Sequence, residues 1–118
     1  MIFHITKREV WVDAQKEGIY AHESLGLEGF IHCSRVNQLI KVANHHYKGE
    51  SGLVLLCIDP AKVSAPVVDE DLYGLNETFP HIYGKLNIDA VTGVIAFEPA
   101  EDGLFLLPDQ LKINRESS

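Results

Sequence analysis

The chain has 118 residues, 46% of them hydrophobic, with ten basic and seventeen acidic side chains and a net charge of −7. That length fits one domain with one core, and no apolar run approaches the roughly 20 residues that span a bilayer. The acid excess, with Lys and Arg scattered along the chain, argues against a generic nucleic-acid surface, although a local pocket can oppose the global charge and hold a single nucleotide.

Ile2 to Ile5 reads as a first strand carrying His4. The stretch Met1 to Arg8 lacks the basic-then-apolar pattern of a secretory signal, which leads us to expect a soluble cytoplasmic protein. Thr6-Lys7-Arg8-Glu9 matches a capping box, and the helix it opens runs to about Glu17, with Val10, Ala14 and Trp11 as candidate inward positions and Gly18 just past its end. Residues 19 to 29 read as a connection, which places His22 in a loop.

Gly29-Phe30-Ile31-His32-Cys33-Ser34 reads as a strand opening into a helix. Alternation puts Phe30, His32 and Ser34 on one face and Ile31 and Cys33 on the other. Ser34 is the expected N-cap of a second helix over about Arg35 to Tyr47. Val36, Leu39, Ile40 and Ala43 form its buried stripe, and His45 and His46 read as a solvated helix end. Cys33, across the strand from His32, reads as structural. Cys57 lies in the apolar run Leu53 to Ile58 and reads as inert core, and two such cysteines are no disulfide framework.

Leu53 to Asp59 reads as a central strand covered on both faces. Residues 60 to 80 hold three prolines, a possible short strand at Val67-Val68 and the acidic run Asp69-Glu70-Asp71, read as a solvated face or a flap over a site. In Phe79-Pro80-His81-Ile82-Tyr83-Gly84, His81 and Tyr83 share one face. Val91 to Glu98 and Leu104 to Leu107 read as a hairpin closed at Asp102-Gly103, and residues 112–118 as a frayed tail. The order of elements predicts an α+β chain over 1–118, one domain with two early helices and a split or mixed β-sheet.

Strand-borne His4, His32 and His81 outline a small polar site. No His-Glu-x-x-His or paired Cys-x-x-Cys occurs, so we expect no metal. No Gly-x-Ser-x-Gly elbow surrounds Ser34. The N-terminus of the second helix, with Ser34, Arg35 and His32 beside it, suits a phosphate, pyrophosphate or carboxylate. A strand histidine is often a packing residue. Convergence of at least two of the three in one pocket is the expectation that favours a site.

The first-strand segment Ile2-Phe3-His4-Ile5-Thr6, then Glu28 to Ser34, Val54 to Pro60 and Phe79 to Gly84, together resemble a bacterial family labelled domain of unknown function 952. Its fold is similar to that of the ADP-ribosyltransferase group, where a split sheet clamps the nicotinamide end of NAD. The resemblance implies that His4 occupies the position of a first-strand histidine that supports the NAD ribose. Many members of that group use a late-strand catalytic glutamate. Here Glu98 ends a strand, with no matching motif around it.

The resulting expectation is a protein that binds or acts on NAD or another ribose or phosphate compound. His4, His32 and His81 would be its catalytic side chains, and Ser34, Arg35 and Tyr83 its ligand-binding ones. The alternative is a noncatalytic small-molecule or partner-binding module using the same pocket. NAD is the candidate cofactor, and a small molecule the expected partner.

Overall fold

The computed structural model describes residues 1–72 and 74–116, the last four by backbone alone. In chain order its elements are β1 (Ile2–Lys7), α1 (Arg8–Glu17), β2 (Ile19–Tyr20), α2 (Ser24–Glu28), β3 (Ile31–His32), α3 (Val36–His46), β4 (Leu53–Ile58), β5 (Val67–Glu70), β6 (Phe79–Ile82), β7 (Leu86–Asn87), β8 (Val91–Phe97) and α4 (Asp109–Glu116), with short 3₁₀ turns at Pro60–Lys62 and Ile88–Ala90. The class is α+β. Among the described residues the strands form three small sheets, β1-β4-β8, β2-β7 and β3-β6-β5, and every strand pair is antiparallel. None of the described helices is long and apolar enough to cross a membrane.

The middle strand β4 is buried along its whole length, as its unbroken apolar run predicts. Alternation splits its side chains between two cores. Val54, Leu56 and Ile58 pack with Trp11, Tyr20, Ile31 and Ile82. Leu53, Leu55 and Cys57 pack with Phe3, Ile5, Leu39, Phe97 and Phe105. Each buried Val, Leu, Ile and Phe side chain among them stabilises the fold by about 1.5–3 kcal/mol.

Phe3 joins two of the sheets. It exchanges both backbone hydrogen bonds with Ser34, each 2.8 Å. That bridge overturns the expected cap. Ser34 is held in an isolated bridge two residues past β3, and the N-cap of α3 moves to Arg35, whose N–H donates to Gln38 Oε1 at 3.0 Å. The ladder overrides the first cap as well. β1 pairs with β4 as far as Lys7–Leu53, so Thr6 is a strand residue and Lys7 is the N-cap of α1, with no side-chain cap bond. Within α1, Trp11 and Ala14 are buried but Val10 is 38% exposed. Gly18 does end this helix, at φ 81° with its N–H on the Ala14 carbonyl.

Three segments hold more order than their composition predicts. The 19–29 connection contains β2 and α2. The acidic run is partly strand: β5 extends to Glu70 and pairs with β6. Residues 109–116 form α4, where a frayed tail was expected, and 117–118 lie outside the described residues. The hairpin loses its second strand. Leu104–Leu107 pairs with no strand, because Asn44 of α3 takes the Phe105 N–H at 2.7 Å and the Phe105 ring stacks on Phe97 at 4.5 Å.

Candidate functional site

A cavity of about 600 Å³ opens between β1, β3, β6 and the second half of α3. The sequence holds six histidines, and all six, His4, His22, His32, His45, His46 and His81, line this cavity. Glu28 is the carboxylate among its lining residues.

Strand pairing brings His32 and His81 together. His32 and His81 sit opposite each other in the β3–β6 register, and their ring centroids are 5.4 Å apart. Phe30 packs against both, stacking on His81 at 4.1 Å and meeting His32 edge-on at 4.8 Å. The alternation expected for Phe30 and His32, and for His81 and Tyr83, is therefore present: Tyr83 also reaches the Phe30 ring, at 5.4 Å.

His4 shares a β1 face with Thr6, and both meet Tyr20. His4 Nδ1 is 2.6 Å from the His32 carbonyl oxygen. Its Nε2 is 2.7 Å from the Tyr20 hydroxyl, which is 2.9 Å from Thr6 Oγ1. A carbonyl accepts only, so Nδ1 donates. If Tyr20 gave its one proton to Thr6, both His4 nitrogens would have to carry protons. Burial opposes that imidazolium and lowers the His4 pKa to about 3. The neutral ring therefore accepts from Tyr20 at Nε2, and Thr6 donates to Tyr20.

His81 is held from behind. Its Nδ1 is 2.9 Å from Glu70 Oε2, and the Tyr83 hydroxyl donates to the same carboxylate oxygen. The Tyr83 bond first, and then the His81 bond, hold Glu70 below the usual carboxylate range. His32 Nε2 is 3.1 Å from Glu28 Oε2. His22 accepts the Ser24 N–H at Nδ1, 3.1 Å, which leaves its own proton on Nε2. Burial lowers the pKa of His22 and of His46, with repulsion from His45 and His32 adding to the effect on His46.

The remaining expected positions divide. Ser34 is on the cavity wall. Arg35 and Tyr83 are not among its lining residues. The Arg35 guanidinium bonds to Asp69 Oδ1 and to the Thr78 carbonyl, both at 2.6 Å. At the N-terminus of α3, Gln38 Oε1 accepts the Arg35 N–H, and the α3 residues that line the cavity, Val42, His45 and His46, lie in its C-terminal half. His45 and His46, read as a solvated end, are wall residues. Cys33 is buried and its thiol pKa is pushed up by burial, which fits a structural role. Glu98 accepts the Gly52 N–H at 3.0 Å and is not a lining residue. Among the described residues, no three His, Cys, Asp or Glu side chains are grouped to hold a metal ion.

Comparison with known proteins agrees with the whole-chain shape. Two crystal structures of protein CC0527 from Caulobacter crescentus, one of them a double mutant, share 29% identity with this chain, cover 93% of it and 96% of their own length, and superpose with a TM-score of 0.82. The solution NMR structure of CC0527 is 27% identical, covers 95% and 97%, and has a TM-score of 0.77. No curated protein matches the chain. The family model described as protein of unknown function (DUF952) matches residues 5–94, and the chain belongs to that family.

Proposed function

We propose that this DUF952 protein binds a ribose-bearing compound, NAD or a close relative, in its histidine cavity, in the manner of an ADP-ribosyltransferase fold. The observation that carries the reading is the convergence of all six histidines on one cavity of about 600 Å³, a size within the usual range for small-molecule sites. Burial keeps His4 uncharged near neutral pH and lowers the pKa of His22 and His46. Neutral imidazoles trade hydrogen bonds with hydroxyl groups and offer aromatic edges and faces to a base. They suit a nucleoside end better than a bare phosphate. His4, the position that in the resemblance supports the ribose, is fixed by bonds on both ring nitrogens. His32 and His81 flank it as the other candidate catalytic groups, with Ser34 on the wall and Arg35 and Tyr83 bracing the frame.

Thermal-shift measurements with NAD, ADP-ribose, pyrophosphate and an uncharged apolar compound test the reading. ADP-ribose or NAD at 100-fold over its dissociation constant should stabilise the fold by about 2.7 kcal/mol, with pyrophosphate weaker. A shift with pyrophosphate alone, or with none of the four, rejects it. Turnover of NAD separates an enzyme from a noncatalytic binding module built on the same cavity. We read the chain as one cytoplasmic domain and the site as metal-free. About one zinc per chain in protein purified without chelator, lost in His32→Ala, would reverse the latter.

A further inference from the structure

His81 stands apart from the other cavity histidines in its hydrogen bonding. The side chain is 1% exposed, and its Nε2 is the one buried side-chain nitrogen or oxygen without a partner among the described residues. Native structures seldom leave such an atom unpaired without a reason. The ring has little freedom to find a partner by turning. Phe30 stacks on its face, His32 meets its edge side, and Glu70 engages Nδ1.

The chemistry of that engagement sets what Nε2 can do. A carboxylate only accepts, so Nδ1 carries a proton. The tautomer with its one proton on Nδ1 has a bare lone pair at Nε2. Glu70 sits diagonally across the β5–β6 pair from His81, with Val68 directly opposite, and the Tyr83 hydroxyl bonds to the same Glu70 oxygen. The carboxylate is thus anchored before it orients the imidazole. A lone pair is satisfied by a donor. The fully ionised pyrophosphate of NAD or ADP-ribose only accepts and cannot supply one, whereas a ribose hydroxyl can.

We infer that His81 Nε2 accepts a hydrogen bond from a ribose hydroxyl of the bound compound, and that Glu70 is the positioning residue that fixes the His81 tautomer for it. The inference rests on the reading of the cavity as a ribose site and adds the atom that selects the hydroxyl. Nitrogen-15 NMR of the histidine-labelled full chain tests it directly. His81 should show a protonated Nδ1 and a bare Nε2. ADP-ribose and D-ribose should each move the Nε2 resonance as hydrogen-bond acceptance does, and nicotinamide alone should not. Glu70→Gln should mix the two tautomers and weaken ADP-ribose by about tenfold, the scale of one hydrogen bond, while Tyr83→Phe keeps the wild-type tautomer. If Glu70→Gln does not fold, the wild-type and Tyr83→Phe spectra decide. A proton on Nε2 in the free protein, or a response to nicotinamide alone, overturns the inference. ADP-ribose that raises the melting temperature without moving Nε2 overturns it and leaves the cavity reading intact. ADP-ribose that does neither removes both.

Discussion

The His4 ring donates from Nδ1 to the carbonyl oxygen of His32 at 2.6 Å. This bond ties the central β1 segment to the short strand β3, across the junction where Phe3 and Ser34 form the neighbouring bridge. It makes His4 a buried structural strut as well as a cavity residue, and its energetics are opposite to those of a solvated histidine.

Burial lowers the His4 pKa from 6.5 to about 3 and lowers those of His22 and His46. The unfolded chain therefore binds more protons than the folded one below pH 6.5. Stability is fully present above that pH and declines as the pH falls toward 3, by an amount on the order of a few kcal/mol. The lowered Glu70 and Glu77 add a loss of the same sign, but only below about pH 4.5. Melting temperature followed by circular dichroism should already fall between pH 6.5 and 5. A flat profile over that interval would contradict the neutral-histidine cavity.

Tyr20→Phe removes the hydroxyl between Thr6 and His4 while leaving the ring in its core position. Both partners are buried, and His4 Nε2 would lose its donor. Leaving such a group unsatisfied costs about 1–3 kcal/mol. Urea unfolding should show that loss as a lower midpoint at an unchanged slope. A midpoint equal to wild type would mean that another donor reaches His4.

Much of this arrangement is legible in the chain. Alternation within Phe30-Ile31-His32 and His81-Ile82-Tyr83 sorts the polar from the apolar faces, and antiparallel pairing then sets His32 against His81. What is not legible depends on partners distant in sequence. Thr6 and Ser34 have the right residue types for caps, but Tyr20 and Phe3 claim them first. His45 and His46 resemble a solvated helix end until α3 packs beside β1 and turns that end to the cavity. Glu70 looks like one charge in an acidic run, and only the β5–β6 register reveals it behind His81. Six histidines in 118 residues were the available sign that the loop and helix-end histidines belonged with the rest.

Arg35 provides a control at the edge of the site. Its guanidinium bridges Asp69 and Thr78, its side chain is 38% exposed, and it is not a cavity-lining residue. An exposed ion pair of this kind contributes about 0–1 kcal/mol. Arg35→Ala should lower stability by no more than that and leave ADP-ribose affinity unchanged in calorimetry. An affinity loss of tenfold or more would return Arg35 to the ligand.

His32 should behave differently from its neighbours. Its side chain is 40% exposed, beside a Glu28 exposed to a similar degree, so its truncation creates no sealed cavity and leaves no buried charge. The backbone carbonyl that accepts from His4 survives the substitution. His32→Ala should therefore melt close to wild type, within about 1 kcal/mol. Its effect belongs on binding. The imidazole lies on the wall between His4 and His81 and has a carboxylate at its Nε2, and losing such a hydrogen-bonding group should weaken ADP-ribose by about 1–3 kcal/mol. Calorimetric titration and a thermal melt on the same preparation separate the two quantities. Strong destabilisation with unchanged affinity would make His32 a packing residue of β3 and remove it from the site, whereas a lost affinity in a normally melting protein assigns it to the ligand.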